Sequence, residues 1–475
     1  MEFYSALPLA EEIEIGDPLA AARSLTWLPH PFLLHSAASS DRARWSFFGA
    51  DPFAVFAGEH YDDARAMWRA LHEQTLASDP GPTLVPFTGG VVGYWAYDFG
   101  RRFERLPGLA VDDLGLPDVM LAFYDVVGAF DHETRQCWLF SSGMPLERDI
   151  RAGRARDRLA MFVDLLSAGR RSTARLPAVR EQLVHPRSTF TPDGYRAAVE
   201  RVKEHIRAGD IFQANLSQRW SLPVGALDAT TLALALTEAL DLHSPAPYAA
   251  FLGAPDHALA SASPERFLEL RGRRVETRPI KGTRPRGADA AEDARLREEL
   301  SESPKDRAEN VMIVDVLRND LGRVCETGSV ELDELCALET FPQVFHLTST
   351  ITGLLRADRD AFDLLHACFP GGSITGAPKI RAMEIIESLE PKRRHLYTGS
   401  IGYIDWDGDA DWNIAIRTAL VTPEAVHFSA GGGITADSDA EAEYRETLDK
   451  AEGLRLALER VLGPIRLAPA MADHA

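Results

Sequence analysis

Strand-like and helix-like runs come in groups along this chain instead of alternating one for one, and that grouping restricts the fold more than any other feature. An N-terminal part holds β-like runs such as VVGYWAYDFG and VMLAFYDVVGAFD with turn signals between them. A helix signal follows at Thr191, which can cap Pro192-Asp193-Gly194-Tyr195, with apolar residues recurring through Val199, Val202 and Ile206. Strand runs (YAAFLGAP, HALASASPERFLEL) come next, then a helix opening at Ser303-Pro304, where proline in the first turn lacks only an N–H that would go unused. Later strands (GSIGYIDW, WNIAIRTALV, AVHFSAGGGI) lead to a last helix from about Asp439 to Leu462. Strict alternation would make a doubly wound parallel sheet; grouped elements predict α+β with antiparallel sheets.

Charge narrows the ligand classes. The chain carries 51 basic against 71 acidic residues, a net of -20, which argues against nucleic acid or an anionic membrane as partner. An anionic ligand would need a local reversal of that field. No basic and then apolar N-terminal segment reads as a secretory signal, and no run of about 18 apolar residues reads as a membrane span. The four cysteines (Cys137, Cys325, Cys336, Cys368) have no CxxC spacing, so the expectation is a cytoplasmic protein without disulfides or zinc. Residues 167–188 lose apolar periodicity and gain basic residues and prolines, which predicts a linker between an N-terminal region, 1–166, and a larger region, 189–463, with a tail at 464–475.

Several residues could carry chemistry. Glu309 has Met312, Ile313 and Val316 at i+3, i+4 and i+7, which puts a carboxylate on an apolar stripe. A hard metal ion would stabilise it there, as would a pairing with Arg307 or a lysine. Glu443 and Glu446 are three apart, and Lys450 lies four beyond the second, so all three share a helix face. They could supply further metal ligands, although the pattern alone reads as a solvated acidic face. FPGGSITGAPKIRAM lacks the Gly-Lys-Ser/Thr of a phosphate loop and offers only backbone amides at a helix start, suited to a carboxylate. The glycines of AGGGI permit close backbone approach by a ligand. Lys281, in RPIKGTRPRG, is a nucleophile only if neutral. Burial beside Ile280 and repulsion from Arg278, Arg284 and Arg286 would lower its pKa, whereas an ordinary lysine is a solvated surface charge.

These segments are not independent. SASPERF, RPIKGTRPRG, KDRAENVMIVDVLRNDLGRV, FPGGSITGAPKIRAMEIIE, GSIGYI, IAIRT, AGGGITADS and EYRETLDKA stand in the order and spacing of the chorismate-utilising enzymes, and the chain resembles that family over nearly its whole length. Anthranilate synthases in it carry alanine where this chain has Lys281, whereas the aminodeoxychorismate-forming branch has the lysine. The resemblance therefore implies that Lys281 is a nucleophile.

It further implies antiparallel sheets packed face to face with outer helices, a sandwich like that of anthranilate synthase. It places Mg2+ on Glu309 and Glu446 with Glu443 nearby, and makes Glu265 of SPERF the proton donor. Tyr397, Arg417, Gly431, Gly432, Gly433 and Lys450 would hold the carboxylates of chorismate, with His346 and Ser373 lining the cleft. Ser36, Arg44, Trp45, Pro247 and Tyr248 resemble the family's tryptophan pocket, although the loop SAASSDRA departs from its usual form. The implied reaction converts chorismate and ammonia to 4-amino-4-deoxychorismate, toward 4-aminobenzoate and folate. No cysteine sits in a Gly-x-Cys-x-Gly turn, so a separate glutamine amidotransferase is the expected ammonia source. Anthranilate, isochorismate or salicylate synthesis, or a non-catalytic tryptophan-binding role, are the rival readings.

Overall fold

The fold is taken from a computed structural model, which describes residues 7–38, 44–77, 85–169, 179–225, 227–341 and 344–467. Two antiparallel sheets dominate it, one of twelve and one of ten strands among these residues. The first runs, in spatial order, from Leu9–Ile13 through Cys137–Ser141, Val126–Asp131, Trp45–Gly49 and Phe32–His35 to Tyr248–Gly253, Ala258–Ser263, Thr418–Val421, Ala425–Ile434, Gln213–Pro223 and Gly376–Ala377, with Arg187–Ser188 paired to Gln213–Pro223 off this path. The second runs from Ile280–Pro285 through Val344–Leu354, Arg274–Thr277, Arg266–Arg271, Ala410–Asn413, Ser400–Asp405 and Gly90–Trp95 to Val119–Tyr124 and Ala54–Ala57, with Glu331–Thr340 paired to Val344–Leu354 off this path.

The sheets pack face to face. Phe32, Phe47 and Leu259 of the first meet Val92, Tyr94, Ile401 and Tyr403 of the second in one buried cluster. The outer face of the first is covered by helices that contribute Leu25, Phe162, Leu236 and Leu458; that of the second by helices that contribute Trp68, Ile313, Phe362 and Met383. Both faces being covered, a strand such as Gly90–Trp95 reads as a continuous apolar run: Val91 and Trp95 point one way, Val92 and Tyr94 the other. The class is the expected α+β sandwich.

The predicted cap at Thr191 forms, and the two other helix starts are capped as well. Thr191 accepts from the Gly194 amide at 3.1 Å ahead of the Pro192–Arg207 helix, and Ser303 accepts from Asp306 ahead of Pro304–Gly322. Asp439 caps Ala440–Leu462 by accepting from Ala442 at 2.9 Å. Strands on either side of segment 167–188 pair with one another in both sheets: Phe32–His35 with Tyr248–Gly253, and Gly90–Trp95 with Ser400–Asp405. Residues 170–178 of that segment and 468–475 of the tail lie outside the described residues, as do 39–43 of the SAASSDRA loop.

One local reading needs correction. HALASASPERFLEL and WNIAIRTALV are not single strands. The first splits into Ala258–Ser263 in one sheet and Arg266–Arg271 in the other; the second splits into Ala410–Asn413 and Thr418–Val421, again one in each sheet. A run whose two halves are equally apolar gives no signal of where it changes layer.

Candidate functional site

Those two crossings make the floor of a cleft. Glu265 sits on the first and Arg417 on the second, and the segments are tied together: the Ile414 amide donates to the Glu265 carbonyl at 3.0 Å, the Ser263 hydroxyl to the Ile414 carbonyl at 2.6 Å, and the Ala262 amide to the Arg417 carbonyl at 3.1 Å. Arg417 adopts φ 50°, a left-handed conformation sparsely used by residues with a Cβ, at the bend where the chain re-enters the first sheet. Its guanidinium has neither hydrogen bond nor ion pair among the described residues, and burial pushes it below the ordinary arginine value. A half-buried cation without an anion is a ready receptor for a carboxylate. His346, whose Nδ1 lies 2.9 Å from the Thr283 hydroxyl, is held neutral, its pKa lowered to about 4 by burial and then by Arg417.

Lys281 comes from the edge strand Ile280–Pro285. The register against Val344–Leu354 shifts between Ile280 and Thr283, and Gly282 adopts φ 85°. Such a bulge re-aims the side chain beside it. Only glycine fits, because a Cβ there would stand 2.9 Å from both Asp306 Cβ and Leu300 Cδ1. Lys281 Nζ donates to the Ser373 carbonyl at 2.8 Å. Burial lowers its pKa; Lys450 lowers it further, while Glu309, Glu265 and Glu446 pull it back. Burial raises the pKa of Glu265, against the Ser373 hydroxyl and Lys281, which pull it down. The site thus drives amine and acid toward a neutral pair.

The neighbouring arginines do not tune that lysine. Arg278 donates to the Thr350 hydroxyl at 2.7 Å and pairs with Glu339; Arg284 pairs with Glu299 at 2.8 Å and Asp306 at 3.2 Å; Arg286 grips Asp293 through two contacts of 2.7 Å. They anchor the strand and its flanks, and the expected repulsion is corrected accordingly: the cation that pushes Lys281 down is Lys450, from another element.

Carboxylates converge from two helices. Glu309 projects from Pro304–Gly322 with no hydrogen bond or ion pair among the described residues, and burial raises its pKa. The acidic face of Ala440–Leu462 is not wholly solvated as its pattern suggested. Glu443 is only 4% exposed: Oε1 accepts from the Ser438 hydroxyl at 2.6 Å, and Oε2 is buried without a partner. Glu446 pairs with Lys450 at 2.6 Å, and Lys450 also donates to the Gly431 carbonyl at 3.1 Å. Gly432 lets backbone and carboxylates meet, since a Cβ there would lie 2.9 Å from Glu443 Oε2 and 3.3 Å from Glu446 Oε1. No three acidic, histidine or cysteine side chains among the described residues are close enough to cage an ion. The donors nevertheless fit Mg2+, which takes one or two carboxylates and fills the remaining positions with water and substrate oxygens. Among the described residues, Glu443 Oε2 and the Glu309 carboxylate have no protein hydrogen-bond donor.

Tyr397 is buried on the Arg394–Gly399 turn, beneath the Arg394 guanidinium at 5.8 Å, and the turn is fastened to the second crossing by the Thr398 amide donating to Ala415 at 2.8 Å. Gln213 was passed over in the sequence. It is buried at the end of Gln213–Pro223, with Nε2 1.9 Å from where a Cβ on Gly433 would lie and Oε1 unpartnered. Its only signal was a polar side chain in an otherwise buried strand. Away from the cleft, Ser36, Trp45, Pro247 and Tyr248 line a cavity of about 150 Å³ between the sheets. The Ser36 hydroxyl there donates to the Trp45 carbonyl at 2.7 Å. Arg44 turns away to Asp131, at 2.7 Å.

The chorismate binding enzyme family matches the chain over residues 30–455. The chain belongs to that family. It is 43% identical over 445 residues to anthranilate synthase component 1 of Thermus thermophilus, covering 91% of this chain and 92% of that one. It is 43% identical over 393 residues to aminodeoxychorismate synthase component 1 of Klebsiella aerogenes, 82% of each. Anthranilate synthase component I from Streptococcus pneumoniae has the same fold, with a TM-score of 0.73 at 30% identity over 88% of this chain and 93% of its own. In this member of the chorismate-binding enzymes, Glu265, Glu309, Glu446 and Lys450 stand near enough to Lys281 to act on its charge, and Arg417 near enough to act on His346. No helix among the described residues is long and apolar enough to cross a membrane.

Proposed function

We propose that the chain aminates chorismate at C4 with ammonia, giving 4-amino-4-deoxychorismate through a covalent adduct on Lys281. The observation that supports this reading best is Lys281 itself, set beside a bulge, hydrogen-bonded among the described residues only to a backbone carbonyl, and driven toward its neutral form beside a carboxyl driven toward its protonated one.

In this mechanism Arg417, Lys450 and the glycines at 431–433 orient the two carboxylates of the substrate. Neutral Lys281 forms a bond to C2 as both ring double bonds shift, C1=C2 to C1=C6 and C5=C6 to C4=C5, and the C4–O bond breaks. Glu265 gives its proton to the departing hydroxyl, which leaves as water; a hydroxide would be a far poorer leaving group. The alkylated amine returns a proton to Glu265. Ammonia then bonds to C4, both double bonds shift back, and the C2–N bond breaks with that proton returned to Lys281. Glu309, Glu446 and Glu443 would hold Mg2+, which supplies Lewis acidity and a template at the ring carboxylate. Without the amine, ammonia adds at C2, the regiochemistry that leads to anthranilate; two successive displacements put nitrogen at C4.

Purified chain incubated with chorismate, Mg2+ and ammonium, followed by aminodeoxychorismate lyase, is expected to yield 4-aminobenzoate. Anthranilate or salicylate without 4-aminobenzoate would refute the assignment in favour of another reaction of the same family.

A further inference from the structure

Of the 51 lysines and arginines in the chain only six are lysines, and three of the six, Lys281, Lys305 and Lys450, stand near enough to the Glu446 carboxylate to act on its charge. Lys281 and Lys450 have the roles given above. Lys305 has none. It sits in the first turn of Pro304–Gly322, one turn ahead of Glu309, with its side chain 53% exposed and Nζ 4.0 Å from Glu443 Oε1. We propose that Lys305 is an exchangeable counter-cation: its ammonium neutralises the carboxylates of Glu309, Glu443 and Glu446 while they hold no metal, and withdraws to solvent when a divalent cation binds there. The inference rests on the metal placement proposed above.

The three carboxylates need such a cation. Glu446 raises the pKa of both Glu309 and Glu443, whereas Lys305 lowers the pKa of all three. The other two lysines are committed, Lys450 to Glu446 and the Gly431 carbonyl, Lys281 to the Ser373 carbonyl. Lys305 makes no hydrogen bond among the described residues, and 4.0 Å is beyond hydrogen-bond reach. Its attraction to the acids is therefore coulombic, with no bond to break on leaving. Its place in the helix points the same way. A cation in the first turn opposes the helix dipole, a cost that nearby anions offset.

The residue type separates a clamp from a placeholder. This chain writes most of its cations as arginine, and Arg286 shows what that side chain does to an acid: it grips Asp293 through two contacts of 2.7 Å. A planar guanidinium locked in that way on Glu443 would hold the carboxylate against the metal. An ammonium on a four-carbon stem, rooted on an exposed turn, is a single mobile charge. Metal binding then exchanges one cation for another, which limits repulsion among the acids in the metal-free protein and leaves the metal readily released.

The test measures Mg2+ binding to the full chain by calorimetry, without chorismate, for wild type, Lys305→Met and Lys305→Arg. Lys305→Met should bind Mg2+ about tenfold tighter than wild type and melt at a lower temperature in EDTA, and Lys305→Arg should bind it about tenfold more weakly. Combined with Glu443→Gln, the effect of Lys305→Met on the melt should shrink, because one of the charges it faced is gone. An amine-acylating reagent, read by mass spectrometry, should modify Lys305 faster in saturating Mg2+ than in EDTA. Unchanged Mg2+ affinity in both variants overturns the proposal, as does weaker binding by Lys305→Met, which would make the ammonium part of the binding site. Equal labelling with and without Mg2+ also overturns it, by making Lys305 a fixed background charge. If neither wild type nor Lys305→Met binds Mg2+, the metal placement proposed above fails and the exchange with it; if wild type binds Mg2+ and the variants match it, this inference alone falls.

Discussion

Glu443→Gln is expected to stabilise the metal-free protein. One oxygen of Glu443 is satisfied by Ser438 and the other is buried and unpartnered, while the nearest cation, Lys305, stands 4.0 Å away. An unsatisfied buried polar atom costs about 1–3 kcal/mol, more when charged. Burial raises the folded-state pKa above the unfolded one. The folded protein therefore holds that proton to higher pH, and the charge costs stability above the ordinary carboxylate range, a cost that vanishes once pH falls below the unfolded pKa. Glutamine removes the titration, so in EDTA at pH 7 the variant should gain about 1–2 kcal/mol, or about 2 °C in Tm for a chain this long. Near pH 4 the two proteins should converge. Mg2+ at ten times its Kd adds about 1.4 kcal/mol to wild type by mass action and less to the variant, which closes or reverses the gap. Thermal melts across pH, with and without Mg2+, give all four numbers. A variant less stable than wild type in EDTA at pH 7 would refute the reasoning, since Glu443 would then be satisfied without metal.

Lys281→Ala should abolish the protein-bound mass increment seen during turnover and lower 4-aminobenzoate formation in the coupled assay by about 100-fold or more; full activity without any adduct would make the lysine a bystander. Lys450→Met removes the cation that pushes Lys281 down, so its pKa rises. Adduct formation at pH 7 should then slow and recover toward about pH 9, while Arg284→Gln and Arg286→Gln leave the profile in place. Gly432→Ala should raise the Mg2+ concentration for half-maximal activity by about tenfold, because the added methyl separates Glu443 from Glu446. An unchanged Mg2+ titration in Glu309→Gln would remove that residue from the metal site.

The helix starts were legible because their signals are local: Thr191 caps as its spacing announced, and Ser303 and Asp439, read as starts, also accept from the backbone of their first turns. The grouping of elements likewise carried the sheet type. What could not be read locally was the layer each strand enters. HALASASPERFLEL looks uniform because both sheets present covered faces, so the step at Pro264-Glu265 leaves no trace in hydropathy. Glu443 was misjudged for a related reason. A helical wheel separates apolar from polar faces, but it does not reveal that Ala425–Ile434 lies under the acidic one. The arginines around Lys281 were close in sequence yet are engaged by acids on other elements; proximity along the chain said nothing of their direction. Gln213 needed the glycine its amide reaches on the adjacent strand, Gly433, before it could be noticed.

The two crossing segments have a mechanical consequence. Because Glu265 and Arg417 each ride on a stretch of backbone that bridges the layers, a slide of one sheet over the other would shear the proton donor from the anion receptor. A dianionic substrate clasped from both sides acts as a brace against that slide. Amide exchange in Ile414–Thr418 should therefore slow on ligand binding well beyond the residues the ligand touches.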